Sequence, residues 1–201
     1  MRPCQGFTVF FTGLPASGKS TTAKALTSLL TEMTGRPVTL LDGDVVRQHL
    51  SRELGYSRED RDTNISRIAF VAGEVVRHGG MAVCAAIAPY ARARAQARAL
   101  ITPHGRFVLV YVATPREVCE TRDPKGLYRQ ARAGTLPNFT GVTDPYEIPT
   151  DAEIQIDASA VSPEAAARHV IDYLVEVRCI LPAEAGHGAC EAGGALPNRT
   201  S

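Results

Sequence analysis

The segment Gly13-Leu14-Pro15-Ala16-Ser17-Gly18-Lys19-Ser20 constrains this chain more than any other. Before it lies Phe7-Thr8-Val9-Phe10-Phe11-Thr12, a short apolar run rich in β-formers. After it, from Lys19 to about Met33, Ala23, Leu26, Leu29 and Leu30 recur at helical spacing until Gly35 and Pro37 stop the pattern. A glycine-rich loop between a buried strand and a helix is the context of a phosphate-binding loop. Successive backbone N–H groups can converge on a phosphate there, and the helix N-terminus adds partial positive charge. Lys19 is placed to reach the β- and γ-phosphates of a nucleotide, and the Ser20 hydroxyl to ligate Mg²⁺. Thr21 completes the expected ATP-side set. The competing reading is a glycine-rich turn that holds no nucleotide.

The rest of the chain repeats the strand–helix alternation. Val38 to Leu41 reads as a second strand, running into Asp42-Gly43-Asp44. Ile65, Ile68, Ala69, Ala72, Val75 and Val76 mark a long amphipathic helix over about 60–78, stopped by Gly79-Gly80. Met81 to Ile87 is a third apolar strand, followed by a helix from Ala91 to Ile101. Phe107 to Val112 is a fourth strand, and Thr114-Pro115-Arg116-Glu117 opens a helix with a cap and a proline. Residues 123–149 are rich in Pro, Gly and charge, the composition of a lid. Glu153 to Ile156 is a short fifth strand, and Ser162-Pro163-Glu164 opens the last helix. Uniformly apolar strands alternating with helices predict an α/β fold: a three-layer phosphate-binding-loop NTPase with a five-stranded parallel sheet and helices on both faces. Sites in such sheets lie at the carboxyl ends of the strands. We read 1–180 as one phosphate-binding-loop domain and expect 181–201 to be a disordered tail.

Composition narrows the partners. A net charge of +1 provides no global field for nucleic acid or membrane, so any anion must be met by local arginines. No apolar run approaches the roughly 20 residues of a membrane span. Cys4, Cys84, Cys119, Cys179 and Cys190 are scattered and odd in number, which is neither a disulfide framework nor a zinc site. With no apolar leader in Met1 to Gly6, a reducing cytoplasmic location is expected. No aspartate ends the third or fourth strand, so Asp42 and Asp44 are the best carboxylates for the metal side. No Asn-Lys-x-Asp segment occurs, which favours a small-molecule kinase over a GTPase switch.

Three segments carry dense polarity. Asp42-Gly43-Asp44-Val45-Val46-Arg47 places two carboxylates and an arginine beside the phosphates. Arg61, Asn64 and Arg67 are three apart on one helix and share a broad face, though a merely solvated face fits the spacing equally. Asp123-Pro124-Lys125-Gly126-Leu127-Tyr128 opens the lid. With Leu54-Gly55-Tyr56-Ser57-Arg58-Glu59-Asp60-Arg61 and Phe139-Thr140-Gly141, these motifs resemble the adenylyl-sulfate kinase family of sulfate assimilation, from about Gly6 to Leu174. The resemblance implies transfer of the ATP γ-phosphate to the ribose 3′-hydroxyl of adenylyl sulfate, giving 3′-phosphoadenylyl sulfate and ADP.

It also implies roles, position by position. Lys19 and Asp44 would be catalytic, Asp44 accepting or orienting the hydroxyl proton, with Arg47 at the acceptor ribose. Ser20 and Asp42 would serve Mg²⁺, Asp42 also lining the acceptor site. Arg61 and Asn64 would hold the sulfate–phosphate anhydride. Tyr56, where the family usually has Phe, and Phe139 would sandwich the acceptor adenine. Ile87, Ala88, Lys125 and Asn138 would complete the contacts. Apart from the resemblance, Arg129 and Arg132 in the lid are candidates to close over the phosphates, though a solvated helix fits them equally. Ala88 replaces a serine that the family often carries as a phosphorylated intermediate. Alanine cannot carry phosphate, so direct in-line transfer is the expected route. The resemblance further implies a homodimer and an association with ATP sulfurylase, to which many relatives are fused. Two other readings stay open: a kinase for another nucleotide 3′-hydroxyl, and a nucleotide-binding domain without catalysis.

Overall fold

Five parallel strands form one sheet in the order β2-β3-β1-β4-β5. The strands are β1 (Phe7–Gly13), β2 (Val38–Asp42), β3 (Met81–Ala85), β4 (Arg106–Val112) and β5 (Ile154–Ile156). The structure is a computed structural model that describes residues 6–181. Apart from Leu181, the expected tail lies outside the described residues, as do Cys4 and Cys190.

Every residue of β1 is buried, because both faces of the central strand are covered. Phe7, Val9 and Phe11 pack with Ala23, Leu26 and Leu30 of α1 (Lys19–Thr34) and with Val170, Ile171 and Leu174 of α7 (Pro163–Glu176). Phe10 points the other way, into Ile65, Ile68, Ala69 and Ala72 of α3 (Arg58–Arg77) and Ala93, Ala97 and Ile101 of α4 (Ala91–Ile101). Strand period two thus sends alternate side chains into two separate cores. Phe10 is fully buried, so its truncation to alanine would cost about 3–5 kcal/mol. Parallel register brings Gly13 opposite Val112 and both Phe11 and Asp42 opposite Ala85, so the strand ends that carry polar loops lie together.

Several expected boundaries differ. Asp42-Gly43-Asp44 is not merely a strand end: α2 (Gly43–His49) begins there, and the Asp42 side chain caps it by accepting from the Asp44 N–H at 3.0 Å. Strand β3 stops at Ala85, short of the expected Ile87, because the Ile87 carbonyl turns to Thr12 and Gly13. The lid stretch contains a helix, α6 (Leu127–Arg132). Thr114 does not cap α5 (Arg116–Arg122); its hydroxyl donates to the Ser17 carbonyl at 2.7 Å, beneath the glycine-rich loop. Ser162 does cap α7, as its sequence pattern predicts.

Candidate active site

The glycine-rich loop connects β1 directly to α1. At Gly13 φ is 151°, and a Cβ there would lie 2.6 Å from the Val112 carbonyl oxygen. At Gly18 φ is 106°, and a Cβ would press on Ala158 at 3.2 Å. Both positions therefore need glycine. Gly18 is also the N-cap of α1 and offers no side chain to its first turn, which leaves the helix N–H groups available to an anion. The loop is braced by the Ser17–Thr114 bond and by Tyr128 of α6, whose hydroxyl donates to the Pro15 carbonyl at 3.1 Å.

Lys19 is buried, with Nζ donating to the Leu14 carbonyl at 2.6 Å and to Ser17 Oγ at 3.3 Å. Burial lowers its pKa from 10.5 to about 8, against the opposing pull of Cys119, Asp42 and Asp44. The half-buried Ser20 and the buried Asp42 stand beside it. Among the described residues no group of three His, Cys, Asp or Glu side chains converges on a metal position.

A cleft of about 890 Å³ runs from this loop to the lid. Pro15, Ala16, Gly18, Lys19, Ser20 and Thr21 line its loop end, whereas Gly13, Leu14 and Ser17 of the same loop do not line it. Asp42, Asp44, Arg47, Tyr56, Ile87 and Ala88 line it as well. Arg61, Asn64, Lys125, Asn138 and Phe139 line the lid end. Predicted positions spread over 125 residues of sequence, from Pro15 to Phe139, thus meet in one cavity.

All but Asn64 among the polar side chains described next have a definite partner. Asp44 and Lys125 form an exposed ion pair across the cleft mouth. The Arg47 guanidinium donates to the Gly55 carbonyl at 2.8 Å and lies 4.6 Å over the Tyr56 ring. Phe139 packs edge-on to Tyr128 at 4.9 Å, so Tyr56 and Phe139 share the cleft while each ring has a different immediate neighbour. Arg61 is buried; it donates to the Tyr56 carbonyl at 3.0 Å, to Thr140 Oγ1 and to the Asn138 carbonyl, and pairs with Asp144 at 3.3 Å. The Asn64 Oδ1 is buried without a hydrogen-bond partner in the cleft wall. Ala88 has φ 43° and is buried; its carbonyl accepts from the Arg94 guanidinium at 2.8 Å, which holds the strained turn.

Two expected arginine groups are elsewhere. Arg67 leaves the Arg61–Asn64 face: it pairs with Glu53 at 2.6 Å and donates to the Leu50 carbonyl, outside the cleft. Arg132 pairs with Glu120, and Arg129 is exposed on α6; neither lines the cleft. Arg122 does line it, beside Gly18, donating to the Ala158 carbonyl at 2.9 Å. Sequence reasoning reached Arg122 only as the first residue of the lid motif, without a role at the site, and missed the turn at Ala158 to Val161, since nothing in their spacing marks a site.

The sequence profile of the adenylylsulphate kinase family matches residues 5–157, more than half of the chain. The chain belongs to the adenylylsulphate kinase family. Among solved structures, the adenylylsulphate (APS) kinase of Mycobacterium tuberculosis in complex with AMPPNP and APS is 40% identical, with a TM-score of 0.81 over 86% of this chain and 99% of that one. The hexameric APS kinase of Thiobacillus denitrificans is also 40% identical, with a TM-score of 0.69 over 89% of this chain and 30% of that one. A sulfate adenylyltransferase of Neurospora crassa is 50% identical over 170 residues, 85% of this chain. One of Aspergillus oryzae is 51% identical over 170 residues. This member of the adenylylsulphate kinase family spans only 30% of the length of either relative.

Proposed function

We propose that this chain transfers the γ-phosphate of ATP to the ribose 3′-hydroxyl of adenylyl sulfate, releasing 3′-phosphoadenylyl sulfate and ADP. The observation that carries the reading is the shared cleft: the phosphate-binding loop forms one end and the family's acceptor residues the other. The kinase of M. tuberculosis, 40% identical, was solved with an ATP analogue and APS, which supports the same pair of substrates here.

Phosphoryl transfer asks mainly for positioning and charge neutralisation. The loop N–H groups and Lys19 would hold the donor phosphates, and Lys19, released from the Leu14 carbonyl, would meet charge growing on the β–γ bridge. Ser20 and Asp42 supply only oxygen ligands, a set that suits Mg²⁺ with phosphates and water as its other ligands. When bound, that ion would neutralise phosphate charge. Asp44 would accept or orient the proton of the 3′-hydroxyl, giving up Lys125, which would turn to the acceptor. Asn64 Oδ1 would gain a partner from the bound acceptor, and Arg61 would meet the anhydride. Tyr56 and Phe139 would flank the adenine. No hydroxyl stands at Ala88, so the phosphoryl group passes directly between substrates. Residues up to about 180 would form the kinase unit, working as a cytoplasmic homodimer. Relatives about three times as long are sulfate adenylyltransferases, which favours a functional association with such an enzyme.

A coupled assay of ADP release tests the reading. Release should depend on adenylyl sulfate; turnover with another nucleotide and none with adenylyl sulfate would overturn it.

A further inference from the structure

The segment Asp144-Pro145-Tyr146-Glu147 at the C-terminal root of the lid has no role so far, yet it is tied to remote elements of the molecule. The Glu147 carboxylate accepts from the Ala91 N–H at 2.6 Å, and its backbone N–H donates to the Pro89 carbonyl at 2.8 Å. The Tyr146 hydroxyl lies 2.9 Å from Thr12 Oγ1, and Thr12 spends its own proton on the Ile87 carbonyl at 2.6 Å. Tyr146 must therefore donate to Thr12. Asp144 makes the contact closest to the acceptor end. Its Oδ2 accepts from the buried Tyr90 hydroxyl at 2.8 Å and lies 3.3 Å from Arg61 Nη1.

We propose that Asp144 is a positioning residue for acceptor capture, acting through Arg61. The inference rests on the proposed function, in which the Arg61 end of the cleft takes adenylyl sulfate. A buried guanidinium needs a counter-charge, and Asp144 is the carboxylate that meets it. The Asp144 carboxylate is itself pinned. Its backbone N–H donates to the Phe139 carbonyl at 3.1 Å, its carbonyl accepts from Gly141, and Tyr90 is held under the Arg58 guanidinium at 4.4 Å. With one oxygen fixed by Tyr90, the plane of Arg61 is fixed too. That plane directs the remaining N–H groups of Arg61 to the Asn138 carbonyl and Thr140 Oγ1, on either side of Phe139. Asn64, one turn further along α3, keeps its unpartnered oxygen in the same wall. Asp144 thus sets the arginine and the backbone on both sides of the aromatic ring together. The contacts of its carboxylate include none of Lys19, Ser20 or Arg122, so the loss of its charge falls on Arg61 at the acceptor end.

Steady-state kinetics of the full chain with each substrate varied in turn provide the test. Asp144→Asn keeps the shape and an oxygen for Tyr90 but removes the charge that holds Arg61. It should raise KM for adenylyl sulfate at least tenfold and leave KM for ATP within twofold. Tyr90→Phe removes only the hydroxyl and should raise KM for adenylyl sulfate several-fold, again with ATP unaffected; it keeps the proposal testable if Asp144→Asn does not fold. A general loss of packing would move both constants together. Equal changes in both, or no change in either, with an active wild type would overturn the inference. A wild type that does not turn over adenylyl sulfate would instead overturn the functional reading on which it rests.

Discussion

Replacing Lys19 with methionine should stabilise the ligand-free fold while abolishing turnover. Lys19 is buried, and its pKa falls from 10.5 to about 8. That depression corresponds to roughly 3 kcal/mol of unfavourable burial of the charged form. Methionine fills similar space without the charge but forfeits the bonds to the Leu14 carbonyl and Ser17 Oγ, which are worth about 1–2 kcal/mol together. The net gain is about 1–2 kcal/mol near pH 7, or about 2–8 °C in Tm for a domain of this size. The sign of the pH dependence follows from proton counting. Below about pH 8 folded and unfolded chains both hold the lysine proton, and the burial cost is felt in full. Between about 8 and 10.5 the unfolded chain keeps a proton that the folded chain has released, so wild-type stability rises relative to the variant. Thermal unfolding of both proteins without nucleotide, from pH 7 to pH 10, measures the difference directly. The advantage of Lys19→Met should shrink as pH rises. A variant less stable than wild type at pH 7, or an advantage independent of pH, would refute the reasoning.

Two further substitutions probe the chemistry. Ala88→Ser should leave kcat within about tenfold, about 1.4 kcal/mol in barrier, because direct transfer asks nothing of a hydroxyl there; an inactive wild type rescued by this change would show an obligatory phosphoserine. Asp44→Asn should lower kcat by about a hundredfold while KM for ATP stays within threefold, since it would remove the proposed proton acceptor and leave the phosphate loop intact; an unchanged kcat would remove Asp44 from the mechanism.

The glycine-rich loop of the candidate site was legible because its determinants are local. Gly13, Gly18, Lys19 and Ser20 sit within eight residues of sequence, where a strand runs into a helix. The sheet was legible because β1, β3 and β4 are almost wholly buried and so read as apolar runs. Short or remote features were not. Helix α2 has seven residues and buries only Val46, too little for a period to show. Three-residue spacing groups Arg61, Asn64 and Arg67, but Glu53 and the Leu50 carbonyl capture Arg67 from outside the helix. Thr114 has the local pattern of a cap, and only the fold brings the Ser17 carbonyl within its reach. Asp144 and Tyr146 find partners 54 and 134 residues away, which no local pattern encodes.

The most direct test of direct transfer to adenylyl sulfate is to follow the label from γ-³²P ATP with the purified chain and Mg²⁺. The label should appear on the 3′-oxygen of the adenylyl sulfate product, one for each ADP released, with none on the protein during turnover. Label on another position or another acceptor, or a labelled protein that forms and decays at the rate of turnover, would contradict it.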